Sequence, residues 1–334
     1  MNKKLIAAAV AAGLAAPMAA SADMKISGRV AQDLVFSSDA EDTRSLADWG
    51  HARLQFDGSQ EAGAVTMYAR VALDARTRTN SGTSPAFNDP GDVRPSPRYR
   101  DVYVGVRGGF GAIQAGRMPG ALKNIEKDPY IATFLEARNT SGVGGGNLGS
   151  SSFIDDLLQY SNSFGNVNLV LQYNPTTDAL GEDNEHIGAA LSGDFGAVRA
   201  WVGFNNGNDP AANGATASDD VGDVVKVGAS TGFGALTVTA QYEMRDSDVG
   251  DQVPQPGDRI FLMGDMDLGG GLSANVAFGM NDRDDLDDDA NWYRLAVSKS
   301  LTKGATVYAG VTQQEVFGAG DDITNFGVGG TLRF

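Results

Sequence analysis

The sequence predicts an all-β fold: a sixteen-stranded antiparallel transmembrane β-barrel with short periplasmic turns and long extracellular loops. Three observations carry that prediction. Apolar and polar residues alternate with period two through nearly the whole chain after residue 23, the spacing at which successive side chains face opposite sides of a sheet. A Phe-Gly phrase recurs, as GFGAIQAG (109–116), SFGNVNLV (163–170), DFGAVRAW (194–201) and GFGALTVT (232–239), and internal repetition reports a repeated supersecondary unit. The junctions between the alternating runs are in turn very short and long.

In chain order, the first element is a leader. Lys3 and Lys4, an apolar run from Leu5 to Ala16 and the small residues Ala20, Ser21 and Ala22 before Asp23 read as a signal peptide over 1–22. That leaves 23–334 for the barrel. The chain has no Cys, so disulfides contribute nothing to its stability. Losing Lys3 and Lys4 takes the net charge from −16 to −18, which argues against binding nucleic acid through its phosphates. No later segment has 18 consecutive apolar residues, as a spanning helix needs.

Strands are predicted at 24–36, 50–60, 63–77, 97–108, 110–117, 155–163, 166–174, 184–194, 196–206, 220–231, 234–245, 257–267, 271–282, 290–300, 303–315 and 322–334. In 234–243, Leu236, Val238, Ala240 and Tyr242 share one face, with Thr237, Thr239, Gln241 and Glu243 opposite. Val167, Leu169, Leu171 and Tyr173 do the same in the seventh run, and Val198, Ala200, Val202 and Phe204 in the ninth. The Phe-Gly phrase falls at short junctions, where glycine supplies the backbone angles of a tight hairpin. The others (37–49, 78–96, 175–183, 207–219, 246–256 and 283–289) are long and rich in Gly, Asn and Asp.

A soluble sandwich or propeller is the alternative. A sandwich buries its apolar face, so it needs bulky residues there; here those faces carry much Ala, Val and Gly, while Arg, Asp and Gln sit mid-strand opposite. A polar face suits a water-filled lumen, and sixteen strands are wide enough to leave one. Closure follows because lipid leaves no partner for an open sheet edge.

The stretches HARLQFDG (51–58), YRDVYVGVRGGFGAIQAGRMPG (99–120) and the terminal Phe334 resemble the general diffusion porins of Gram-negative bacteria, a likeness that covers essentially all of 23–334. The resemblance implies a homotrimer in the outer membrane, in contact with lipid and lipopolysaccharide, through which small hydrophilic solutes diffuse passively. It implies no cofactor, no metal and no enzymatic activity. It also implies that the barrel-assembly machinery recognises the final strand through Phe326, Val328, Leu332 and Phe334.

The junction at 118–152 is long enough to require a function. It carries an apolar cluster, Tyr130, Ile131, Phe134 and Leu135, which can anchor a loop to a wall. In the family the loop at this position folds into the barrel; the alternative is an extracellular lid. An inward loop would bring Glu126, Asp128 and Glu136 into the lumen. Arg29, Arg53 and Arg70 lie mid-strand on the polar faces of their runs, and a lipid-facing arginine there would cost about 2–4 kcal/mol. The resemblance adds Arg100 and Arg117, although Arg100 shares parity with Val102 and Val104. The basic residue many relatives carry on the sixth strand has no counterpart in FIDDLLQYSNS (153–163), where Asp155 and Asp156 stand instead. Carboxylates facing guanidiniums would set a transverse field at the narrowest point, and the acidic total predicts a mild preference for cations.

Other motifs fit less well. Gly228, Ser230 and Gly232 match G-x-S-x-G, the hydrolase elbow, but that motif needs a following helix and a general base, and the two histidines, His51 and His186, lie far apart in the strand order. The run NDRDDLDDD (281–289) lacks the spacing of a Ca²⁺ loop and reads as a solvated loop; divalent bridging to lipopolysaccharide is the alternative. Trp49, Trp201, Trp292, Tyr242, Tyr293 and Tyr308 are candidates for an interfacial aromatic belt or a subunit contact. A substrate-selective channel would show aromatic ladders or a Lys cluster along the lumen, and neither is evident. A structural or adhesive barrel would need a further domain or a plugged lumen.

Overall fold

A computed structural model of the chain describes residues 23–38, 44–47, 52–75, 98–125, 127–131, 133–137, 153–175, 186–207, 223–246, 257–283, 288–315 and 322–334. Residues 1–22, read above as a signal peptide, and Trp49, His51 and Glu126 lie outside them.

Within these residues the chain forms β1 (Asp23–Ser37), β2 (Arg44–Ala47), β3 (Ala52–Ala62), β4 (Val65–Ala75), β5 (Arg98–Gly108), β6 (Gly111–Pro119), a short helix α1 (Ala121–Ile125), β7 (Phe153–Phe164), β8 (Val167–Asn174) and β9 (His186–Phe195). There follow β10 (Val198–Gly207), β11 (Asp223–Phe233), β12 (Leu236–Asp246), β13 (Gly257–Gly269), β14 (Leu272–Arg283), β15 (Asp288–Ser300), β16 (Ala305–Gln314) and β17 (Ile323–Arg333). From β3 onward each strand pairs antiparallel with the next. Two segments fall outside the sequence reading. One is α1; the other is β2, inside the 37–49 junction. β2 pairs with the upper half of β1 (Phe36 opposite Arg44) and β3 with the lower half (Arg29 opposite Arg53), so together they serve as one wall strand. The wall is therefore sixteen strands.

It is closed. β1 pairs with β17 from Arg29 opposite Arg333 to Ser37 opposite Asn325, and Gly28 and Phe334 exchange backbone hydrogen bonds of 2.9 and 3.1 Å. No strand among the described residues is left with an unpaired edge that hydrocarbon would penalise.

The Phe-Gly phrase has a conformational cause. Gly111, Gly165, Gly196 and Gly234 all take positive φ (100°, 64°, 74° and 65°), a region a side chain disfavours. Each reverses the chain within a few residues, and the preceding Phe110, Phe164, Phe195 and Phe233 are exposed beside the turns, forming an aromatic rim at one end of the wall.

Alternation resolves into two faces with different neighbours. The outward row of β8 includes Leu171 and Tyr173, exposed like Val202, Val238, Val328 and Leu332 on their strands. Inward positions carry Arg, Asp, Asn and Gln. The buried apolar residues lie inside the barrel, in small clusters between the wall and the 118–152 segment. Trp201, Trp292 and Tyr308 belong to those clusters and are nearly fully buried; of the described belt candidates only Tyr242 and Tyr293 face outward and are exposed. Parity accounts for this, since Trp201 shares its face with Arg199 and not with Val202.

Candidate constriction site

The third long connection begins with α1, whose Ala121, Leu122 and Ile125 are buried against Ala190, Trp201 and Val224 of β9, β10 and β11. Space for the helix is made by glycine: a Cβ on Gly203 would come within 2.6 Å of Ile125 and 2.7 Å of Leu122. Five residues cannot hold a helix in water by themselves, so the wall stabilises it. Further on, the Gln241 amide of β12 donates to the Lys127 carbonyl at 3.0 Å, pinning the backbone as it crosses.

The segment then docks through a charged latch. The Arg294 guanidinium of β15 donates from Nη1 to both carboxylate oxygens of Asp128, at 2.9 and 3.1 Å, and to the Leu135 carbonyl at 2.7 Å. Its Nε donates to Asn275 at 2.9 Å, and the Tyr130 ring covers it at 4.7 Å. Asp128 also accepts from the backbone N–H groups of Tyr130 (3.1 Å) and Ala137 (2.9 Å). Neither side chain of the pair has solvent exposure. Buried charges are tolerable only when satisfied in this way.

Apolar contacts complete the docking. Tyr130, Phe134 and Leu135 pack with Val35, Ala296 and Tyr308. Asp33 of β1 accepts from the Phe134 N–H at 2.9 Å and from the Tyr308 hydroxyl. Three of the four predicted anchors are buried here. The fourth, Ile131, is half-buried, and its carbonyl accepts from Arg29 at 3.3 Å.

Running from β8 to β1 along the inside, the described residues of the segment leave one sector uncovered, formed by β3, β4 and β5. Arg53 and Arg100 both reach Asp74, at 3.3 and 3.2 Å, and Arg70 reaches Asp57 at 2.7 Å. Arg29 stands opposite Arg53 on one side and Arg333 on the other. Arg100 lies over the Phe153 ring at 4.3 Å, which Lys123 of α1 approaches at 5.3 Å. These groups are partly exposed.

The predicted residues therefore separate. Arg53, Arg70 and Arg100 come together on the bare sector, and Arg29 of β1 stands at its edge, opposite Arg53 and bonded to the segment. Arg100 joins through a bulge: Ala72 pairs with Asp101 and Leu73 with Tyr99, so Arg100 is the extra residue and turns inward, while Tyr99 is exposed. Such bulges re-aim side chains, and this one explains its irregular parity. Arg117 does not join the group. It stands opposite Val102 on the outward face and pairs with exposed Asp155 at 2.8 Å. Asp128 is consumed by the latch. Glu136 is buried within electrostatic reach of Arg29 and Asp33.

Sequence reasoning missed Arg294, Asp33 and α1. It also missed the polar cluster in which Glu243 meets Lys226 (3.0 Å), Arg245 (2.7 Å) and Arg259 (3.4 Å) on the covered sector. Ser230 of the G-x-S-x-G match sits in a ladder between Arg199 and Thr239, followed by a hairpin and another strand, not the helix a nucleophile elbow requires. Phe326, Val328, Leu332 and Phe334 all face outward and are exposed, with Phe326 stacked on Phe36 at 4.9 Å.

The profile of the Gram-negative porin family matches residues 7–318. No curated protein matches the chain. Among solved structures, the anion-selective porin from Comamonas acidovorans superposes with a TM-score of 0.72 at 17% identity, covering 94% of this chain and 100% of that one. The loop-deleted outer-membrane protein OmpT of Vibrio cholerae gives 0.67 at 20% identity, over 94% and 99%. Salmonella typhi OmpF in complex with daunomycin gives 0.66 at 15% identity, over 93% and 97%.

Proposed function

We propose, from the premise that this chain belongs to the Gram-negative porin family, how its outer-membrane barrel works as a passive diffusion channel. Solutes would cross the gap between the docked third connection and the arginine-bearing sector of β1, β3, β4 and β5. One observation carries this reading: the buried Arg294–Asp128 latch holds the connection against one side of the barrel, away from the partly exposed guanidiniums of Arg53, Arg70 and Arg100 on the other. The solutes would be small and hydrophilic, because an apolar solute must displace water ordered between fixed charges. A homotrimer is the assembly we infer; a trimer form is described for the Vibrio cholerae OmpT neighbour.

The ion preference follows from where charge sits. The acidic surplus lies in the long outer junctions, whereas Arg53, Arg70 and Arg100 with Arg29 beside them outnumber the Asp57, Asp74 and Asp101 carboxylates on the same sector, and Asp128 is withdrawn. Charges separated by more than the Debye length, about 10 Å at 0.1 M salt, are largely screened. At moderate salt the constriction should therefore outweigh the outer junctions and favour anions weakly, in place of the cation preference that the total charge predicts. At about 0.01 M the screening length grows to about 30 Å, and the acidic mouth should pull selectivity back towards cations.

Planar-bilayer recording with a KCl gradient tests both parts. Discrete openings grouped in threes support the open trimeric channel, and a salt-dependent zero-current potential supports the charge argument. A silent bilayer would favour a structural barrel, and cation preference at every salt concentration would return selectivity to the total charge.

A further inference from the structure

We propose that the lumen carries a docking patch for solutes that combine a carboxylate with a flat apolar ring, a reading that rests on the channel function above. The patch lies on β4, β5 and β6, between the constriction and the tight-turn rim. Four inward side chains form it, on two neighbouring strands, where no run along the chain reveals them. Arg70 stands opposite Tyr103, Tyr68 opposite Gly105 and Thr66 opposite Arg107. Tyr68 and Tyr103 meet edge to face at 6.3 Å. The Arg107 guanidinium lies over the Tyr68 ring at 5.5 Å, and Arg70 over the Tyr103 ring at 5.7 Å.

The geometry is built rather than incidental. Gly105 has no side chain, and a Cβ there would come within 2.6 Å of the Tyr68 ring, so the ring lies close against the wall. Its hydroxyl donates to Gln114 of β6 at 2.8 Å, which fixes the ring's rotation. Arg70 is committed to Asp57. Arg107 is exposed and has no carboxylate within ion-pair distance among the described residues. A guanidinium stacked on a ring keeps its N–H edge free, and that fork matches the two oxygens of a carboxylate. The two tyrosine rings beside it offer apolar contact at low entropic cost. A charge alone would hold any anion, and rings alone any flat solute; the pairing selects molecules that have both.

Benzoate, acetate and benzyl alcohol are the probes, added to single channels of the full-length protein in KCl. Benzoate should reduce the current in a saturable way, while acetate and benzyl alcohol at equal concentration should not. Replacing Arg107→Gln together with Tyr68→Ala should raise the half-blocking benzoate concentration about tenfold, the loss of roughly one charge-assisted contact. Arg107→Lys keeps the charge but not the fork, and should weaken the block while leaving the zero-current potential in place. The proposal is overturned if acetate blocks as well as benzoate, if benzyl alcohol does, or if the double variant blocks like the original chain. KCl conductance in each variant reports separately whether the channel itself is intact.

Discussion

The two sides of the lumen use the same residue types for opposite ends. On the covered side Arg294, Lys226, Arg245 and Arg259 are nearly or wholly buried, each beside a carboxylate or amide. On the bare side Arg53, Arg70, Arg100 and Arg107 keep part of their surface exposed. On the function proposed above, an arginine in the wall would be a bolt or a filter depending on whether the third connection lies over it. Burial decides, because a desolvated charge must be satisfied internally, whereas one that faces water can still act on what passes.

The bolt should be the easiest part to break. Arg294→Ala leaves Asp128 buried and unpaired, at a cost of about 3–5 kcal/mol to the docked arrangement. Released, the connection should leave a wider passage, read as larger and noisier single-channel conductance, while Asp128→Asn combined with Arg294→Met should fall closer to the original. If Arg294→Ala conducts normally, the latch does not position the connection. The filter comes next. Arg53→Gln with Arg100→Gln should move the zero-current potential towards cations at moderate salt, and should also lower thermal stability, because buried Asp74 loses both of its guanidinium partners.

A smaller effect belongs to the seam between the sectors. Tyr308→Phe removes one donor to Asp33 but leaves the Phe134 N–H, and should cost about 1–3 kcal/mol, seen as faster protease cleavage of the connection with the barrel intact. The smallest is Arg117→Gln. Its pair with Asp155 lies on the outward face, away from the lumen, so its loss should leave ion selectivity untouched. A clear shift in selectivity would put Arg117 back among the filter residues.

These differences show what a sequence can disclose. Strand count and facing were legible because period two is local: Arg29, Arg53 and Arg70 each stand beside apolar neighbours of opposite parity. Parity would also have placed Trp201 inward, had it been weighed above the habit of aromatic belts. It failed where the ladder breaks. The bulge at Ala72 and Leu73 turns Arg100 inward against its apparent parity. At the shift between Gly116 and Met118, the Met118 side chain is buried while Arg117 stays outward. The latch was illegible for another reason. Asp128 and Arg294 are far apart in the chain, and nothing local marks them as partners until the connection is folded inward. Tyr68 with Arg107, and Arg70 with Tyr103, were hidden likewise, since each pair straddles two strands.

The reciprocal bonds between Gly28 and Phe334 have a kinetic consequence. They join positions separated by almost the whole chain, so this contact carries the largest loop-closure entropy among the described strand pairings, and closing it early would cost most. Until then two raw edges exist that neither lipid nor the lumen can satisfy. Closure should accordingly be all-or-none and late, with partly assembled sheets confined to the membrane surface.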